Sequence, residues 1–264
     1  MNLITLGDVS LHYRIDGDPD GMPVVFANSL GTDFRLWDKI LPLLPEGLRI
    51  LRFDKRGHGL SSCPDGDYSM AALVADTAAI IEALKFDNCL FVGLSIGGMI
   101  AQGLAVERPE LLRAMVISNT AARIGEAALW QERIDAARAG GIEALADNIM
   151  ERWFSKQFHQ HQATELQGWR NMLTRTPLQG YIGCSAAIAG SDLTAATASL
   201  TLPTLAIAGS EDGSTPPELV RATAALIAGS RFEEIVNAGH LPCVEQAEDY
   251  ARILSEFIEA NRHV

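Results

Sequence analysis

The stretch CLFVGLSIGGMIAQG, residues 89–103, constrains the fold more than any other part of the chain. Five apolar residues broken by one glycine are too short for a helix and lack polar alternation, as in a strand buried on both faces. Gly93-Leu94-Ser95-Ile96-Gly97-Gly98 then turns the chain, and helix-period residues follow at once. A buried strand feeding a helix through a tight turn belongs to a mostly parallel sheet covered by helices on both sides.

The rest of the chain keeps that rhythm. Strand patterns fall at Ser10–Ile15, Val24–Ala27, Leu48–Phe53 and Ala114–Ser118, with helix patterns at Phe34–Leu44, Ser69–Leu84 and Ile96–Glu107. Between Ala122 and Ala198 the rhythm changes: AALWQERIDAARAG, GIEALADNIMERWF and ATELQGWRNMLTR are helical patterns with no strand between them. Alternation resumes with a strand at Pro203–Gly209, a helix at Pro217–Ile227, a strand at Arg231–Val236 and a helix at Val244–Ala260. The 264 residues therefore read as one α/β unit, a core of residues 1–121 and 199–264 carrying a helical insertion at 122–198.

A formal charge of −12 opposes phosphate-rich surfaces, so neither nucleic acid nor an anionic membrane is an expected partner. An anionic substrate needs a local cation instead. Met1–Asp8 has no basic segment ahead of an apolar one, and no run of eighteen apolar residues follows, which points to a soluble, cytoplasmic protein. The four cysteines, Cys63, Cys89, Cys184 and Cys243, are scattered without metal-site spacing and read as reduced thiols. Oligomeric state is left open by the sequence.

Ser95 sits in G-x-S-x-G between a strand and a helix, the context in which that pattern presents a nucleophile. A serine hydroxyl is a weak nucleophile at neutral pH, so a base and an orienting acid must lie elsewhere in the chain. Of six histidines, only His240 and His263 follow the resumed alternation. His263 adjoins the C-terminus, whereas His240 lies just past a strand's carboxyl end, where open α/β sheets bind ligands. Asp212, just after the preceding strand, is the expected acid, with Glu211 as the alternative. The amide of Ile96 and one from the loop FANSLGTDFRLW, best placed at Leu30, are the expected oxyanion donors. His159 and His161 diverge on a helix and have no carboxylate cluster, so no metal site is expected there; His58, in RGHG, reads as a structural turn residue.

With these residues in view, the chain resembles the α/β-hydrolase superfamily over nearly its whole length. FDKRGHGLSS (53–62) is similar to that family's D-x-R-G-x-G-x-S turn, GSEDGSTP (209–216) to its acid loop and AGHLPCVEQ (238–246) to its histidine loop. Many members have His-Gly where this chain has Asn28-Ser29, which leaves Asn28 as a possible side-chain donor to substrate. Within the superfamily, FANSLGTDFRLWD, RGHGLSS, GLSIGGMIAQGLA and ALWQERIDAAR most resemble 3-oxoadipate enol-lactonases. The resemblance implies an α/β-hydrolase fold with a helical cap, no cofactor, and hydrolysis of a small anionic enol lactone in aromatic catabolism, the β-ketoadipate pathway. Arg133, one helical turn from Trp130, and Arg35, near the Asn28–Leu30 loop, are then the candidates for the substrate carboxylate. A carboxylesterase, a carbon–carbon bond hydrolase or a perhydrolase would use the same triad, and a ligand receptor could keep the fold. A haloalkane dehalogenase or epoxide hydrolase fits less well, because an aspartate would replace Ser95.

Overall fold

The computed structural model describes residues 1–262, so His263 lies outside the described residues. Eight strands form one sheet: β1 (Asn2–Leu6), β2 (Val9–Gly17), β3 (Met22–Ala27), β4 (Leu48–Phe53), β5 (Cys89–Leu94), β6 (Leu112–Ser118), β7 (Thr204–Gly209) and β8 (Arg231–Ile235). Their spatial order is β1-β2-β4-β3-β5-β6-β7-β8. The first two strands pair antiparallel with each other, and β2 pairs antiparallel with β4. All later pairings are parallel. Every residue of β5 and β7 is buried, the consequence of helices covering both faces.

Helices α1 (Met70–Ala83) and α2 (Ile96–Glu107) pack on the sheet, as do α9 (Pro217–Ala225) and, after a short α10 (Pro242–Glu245), α11 (Ala247–Ala260). Ser69 caps α1 by accepting the Ala72 amide at 3.1 Å, which sets its start. From Ala127 to Thr197 the chain is helical: α3 (Ala127–Gly140), α4 (Glu143–Trp153), α5 (Lys156–His161), α6 (Ala163–Thr174), α7 (Leu178–Ala189) and α8 (Thr194–Thr197).

Three elements differ from the sequence expectation. Phe34–Leu44 is not an α-helix but two 3₁₀ turns, Phe34–Trp37 and Leu41–Leu43. Asp33 accepts the Arg35 amide at 3.0 Å and tightens the first, while Pro42 lacks an amide and disfavours helical backbone at Leu41. The last helix is split at Gln246, whose backbone (φ −129°, ψ 56°) is not helical. Strand β1, which sequence alternation does not reveal, forms a hairpin with β2 at the sheet's exposed edge. Among the described residues no helix is long and apolar enough to cross a membrane.

Candidate active site

The site lies at the carboxyl ends of the parallel strands, where successive loops leave the sheet. Ser95 joins β5 to α2 with φ 58° and ψ −119°, a conformation that L-residues rarely adopt and that costs of the order of 1–3 kcal/mol. The surroundings enforce it. The Ser95 amide donates to the Ser118 carbonyl at 2.9 Å, and the Thr120 hydroxyl and Gly98 amide donate to the Ser95 carbonyl at 2.7 and 2.8 Å. A Cβ on Gly93 would collide with the Gly97 carbonyl, and one on Gly97 with the Ala27 carbonyl, so both flanking glycines are steric necessities. Ser95 does not spend its hydroxyl on capping α2.

His240, in the loop after β8, shares a pocket with Ser95. Its Nδ1 lies 2.9 Å from Asp212 Oδ2, in the loop after β7. An ionised carboxylate only accepts, so the Nδ1 position carries the proton and Nε2 is left as the base. Asp212 itself is fully engaged. Its Oδ1 accepts the Ser214 and Thr215 amides at 2.7 and 3.1 Å, and Oδ2 also accepts from Asn119 Nδ2 at 2.9 Å and the Thr215 hydroxyl at 2.7 Å. Burial pushes this carboxyl up, but His240 and the hydrogen bonds from Asn119 and Thr215 outweigh it and hold the group below the ordinary carboxylate range. Glu211, the alternative acid, is exposed and accepts the Lys156 amide at 3.1 Å, away from the imidazole.

Ile96 is the first residue of α2, so its amide has no partner within the helix, and Leu30 lies in the loop after β3. Among the described residues neither amide donates to a protein acceptor. Both are therefore available to an oxygen in the pocket that Leu30 and Ser95 line together.

The cavity beside Ser95 has a volume of ≈ 40 Å³ and is lined by Trp130 and Arg133 of α3, Ile149, Arg152 and Trp153 of α4, and Tyr181 of α7. Trp130, Arg133, Ile149 and Arg152 also line a vestibule of ≈ 370 Å³ between α3 and α4. The Arg133 guanidinium sits 5.0 Å from the Trp130 ring centroid, and Trp130 Nε1 donates to the Ile124 carbonyl at 2.6 Å. Arg152, which the sequence reading does not single out, donates through Nε to the Gly213 carbonyl at 3.1 Å. Burial first, and then the like charge of Arg133, lower its basicity, with Asp212 opposing. Neither arginine has a carboxylate ion-pair partner among the described residues.

Two expected substrate contacts are corrected. Arg35 is not in this pocket; it lines a separate cleft of ≈ 590 Å³, largely exposed and held by both oxygens of Asp33 at 2.9 and 2.6 Å. Asn28 is buried beneath the loop, where its Nδ2 donates to the Phe53 carbonyl at 3.0 Å and its Oδ1 accepts from Trp37 Nε1 at 3.0 Å. It braces the loop from the core side and does not line the pocket. Asn119, which donates to Asp212, is not singled out by the sequence pattern. Its position just past the β6 strand pattern is the signal the sequence offers, since open α/β sheets bind ligands at the carboxyl ends of their strands. His159 Nε2 lies 3.1 Å from the Met150 carbonyl, and among the described residues no group of His, Cys, Asp or Glu is placed to hold a metal ion.

Residues 22–247 match the family described as alpha/beta hydrolase fold. A 3-oxoadipate enol-lactonase of Acinetobacter baylyi is 32% identical over 94% of this chain and 92% of its own length. A protein of Mycobacterium tuberculosis provisionally assigned as the non-heme bromoperoxidase BpoC is 30% identical over 90% of this chain and 94% of its own. The crystal structure of an enol-lactonase from Burkholderia xenovorans LB400 superposes with a TM-score of 0.94 at 34% identity, covering 98% of this chain and all of that one.

Proposed function

The chain belongs to the alpha/beta hydrolase fold family, and from that premise we propose that it opens a small anionic enol lactone, 3-oxoadipate enol-lactone, to the open-chain oxo acid. The observation that carries this reading is the pair Arg133 and Arg152, two cations beside Ser95 that have no carboxylate ion-pair partner among the described residues, in a protein of net charge −12. An uncharged ester gains little from them. A substrate carboxylate gains charge-assisted hydrogen bonds in a partly buried setting, where screening is weak. Similarity to enol-lactonases points the same way.

His240 Nε2 takes the Ser95 proton as the hydroxyl oxygen attacks the lactone carbonyl, and Asp212 stabilises the resulting imidazolium. The oxyanion is received by the Leu30 and Ile96 amides. Collapse of the tetrahedral intermediate breaks the ring C–O bond and releases an enol oxygen, a better leaving group than an alkoxide, with His240 returning the proton. Water activated by His240 then hydrolyses the acyl-enzyme, and the enol tautomerises to the ketone. Every proton transfer is assigned to a side chain in the pocket, and none requires a metal or organic cofactor. Residues 122–198 act as the cap that carries the carboxylate site, and the protein works as a cytoplasmic enzyme on a small-molecule substrate.

The test compares the enol lactone with its uncharged methyl ester, in wild type and in Arg133→Ala and Arg152→Ala. Wild type is expected to prefer the acid, and each substitution to lower kcat/KM for the acid by about 10- to 100-fold, in line with loss of a charge-assisted bond. Turnover of the methyl ester should change less than threefold. Equal rates on acid and ester in wild type would remove the enol-lactone assignment while leaving a serine hydrolase.

A further inference from the structure

We propose that Lys55 is a positioning residue for the oxyanion hole: its buried ammonium holds the carbonyl end of the Ser29–Leu30 peptide and so aims the Leu30 N–H at the reacting oxygen. The proposal rests on Ser95 attacking a carbonyl and Leu30 receiving the oxyanion, but not on which ester is the substrate.

Lys55 follows β4 by two residues, and its side chain is buried. Its Nζ donates to the Ser29 carbonyl at 2.7 Å. That carbonyl and the Leu30 N–H belong to one planar trans peptide and point in opposite directions, so fixing the oxygen fixes where the hydrogen points. The following peptide is tied off separately. The Gly31 amide donates to His58 Nε2 at 2.9 Å, which makes His58 an acceptor at that nitrogen and withdraws Gly31 from the pocket. Leu30 is thus left as the free donor between two anchored neighbours.

Satisfying the Ser29 carbonyl does not by itself explain an ammonium. The Thr32 hydroxyl donates to the same oxygen at 2.9 Å and the Thr32 amide at 3.3 Å. A positive charge adds something those neutral donors do not: it polarises the peptide and makes the N–H at its far end a stronger donor to an anion. Burial pushes the Lys55 ammonium down to about 8. The groups facing it are Asp33 and Asp54, which favour its charge, Cys184 of α7, and His58, whose burial and proximity to Lys55 keep it neutral. Cys184 is pushed up to about 12 and His58 well below its ordinary range, so neither changes charge between pH 7 and 9.

The experiment uses Lys55→Met with p-nitrophenyl acetate, an uncharged ester that bypasses the arginine pair, and Ser95→Ala as the background. Expected is a fall in kcat of about 10- to 1000-fold, the range for weakening or losing one oxyanion donor, with KM within threefold of wild type. The melting temperature should be unchanged or higher, because a buried charge has been removed. Wild-type kcat should decline as pH rises through about 8 and the ammonium is lost, and the methionine variant should lack that limb. A variant kcat within threefold of wild type overturns the proposal, as does a fall matched by a lowered melting temperature or an alkaline limb that persists. Lys55→Gln is read by the same criteria if Lys55→Met does not fold. Ester turnover without preference for an anionic lactone refutes the enol-lactone assignment and leaves this test intact.

Discussion

Asn119 shows how much of the setting of Asp212, the proposed orienting acid, is supplied by a neighbouring side chain. Its Nδ2 donates to Asp212 Oδ2 at 2.9 Å and to the Gly239 carbonyl at 3.2 Å, tying the acid loop to the histidine loop. Asp212 is held below its ordinary range, so the stability it contributes is present above the unfolded carboxylate value and lost as pH falls through the lower folded one. Asn119→Ala removes one of the bonds responsible. Acid unfolding should begin at a higher pH, and stability at pH 7 should fall by about 1–2 kcal/mol, measured by urea denaturation across pH 3–7. Ser95, Asp212 and His240 were legible because each stands where a strand pattern ends. Asn119 stands at such an end too, but amides at loop starts are common turn formers and carry no catalytic label. Lys55 and Arg152 were not legible in this way, since what distinguishes them is burial next to a particular carbonyl or cavity, and no local pattern encodes that.

Helix α4 joins the helical segment 122–198 to the loops that carry Asp212 and His240. Its final residues hold both loops through backbone bonds: the Trp153 carbonyl accepts the His240 amide at 2.8 Å, and the Arg152 carbonyl accepts the Gly213 amide at 3.2 Å. A Cβ on Gly239 would strike the Trp153 carbonyl, which explains glycine beside the histidine. The Trp153 ring is buried near Phe154, which stacks on Phe158 at 4.4 Å. Trp153→Ala should cost about 3–5 kcal/mol of stability. Because Arg152 and the His240 loop depend on the same turn, kcat on p-nitrophenyl acetate should fall in protein that is still folded, a split that calorimetry and steady-state kinetics on one preparation resolve. At this scale the strand and helix alternation of the core was readable from its apolar periodicity. The exceptions have local causes: Pro42 and the Asp33 cap shorten the Phe34–Leu44 segment, and β1, NLITL, sets Leu3 and Ile4 side by side, so it breaks the period-two alternation by which a half-buried strand is recognised.

The molecule as a whole carries a charge that opposes its proposed substrate, while the pocket carries one that attracts it. These two fields differ in range. The −12 net charge acts over the whole surface and is felt at long distance when salt is low, where the screening length is roughly 30 Å at 0.01 M. Arg133 and Arg152 act within a few ångströms and are partly shielded from solvent by α3 and α4. Raising salt to about 0.15 M shortens the screening length to roughly 8 Å, which removes most of the global repulsion before it reaches the pocket pair. Near 1 M, at roughly 3 Å, the pair is weakened as well. For an anionic lactone, kcat/KM should therefore rise between 0.01 and 0.15 M salt and fall again towards 1 M. Its methyl ester should give a flat profile, which separates electrostatic effects on the substrate from effects of salt on the fold. In Arg133→Ala/Arg152→Ala the rising limb should remain, because the global charge is still negative, and the falling limb should vanish, because the local attraction that salt weakens is gone. A wild-type profile for the anion that only falls would place the dominant field in the pocket at every salt concentration and refute the long-range repulsion.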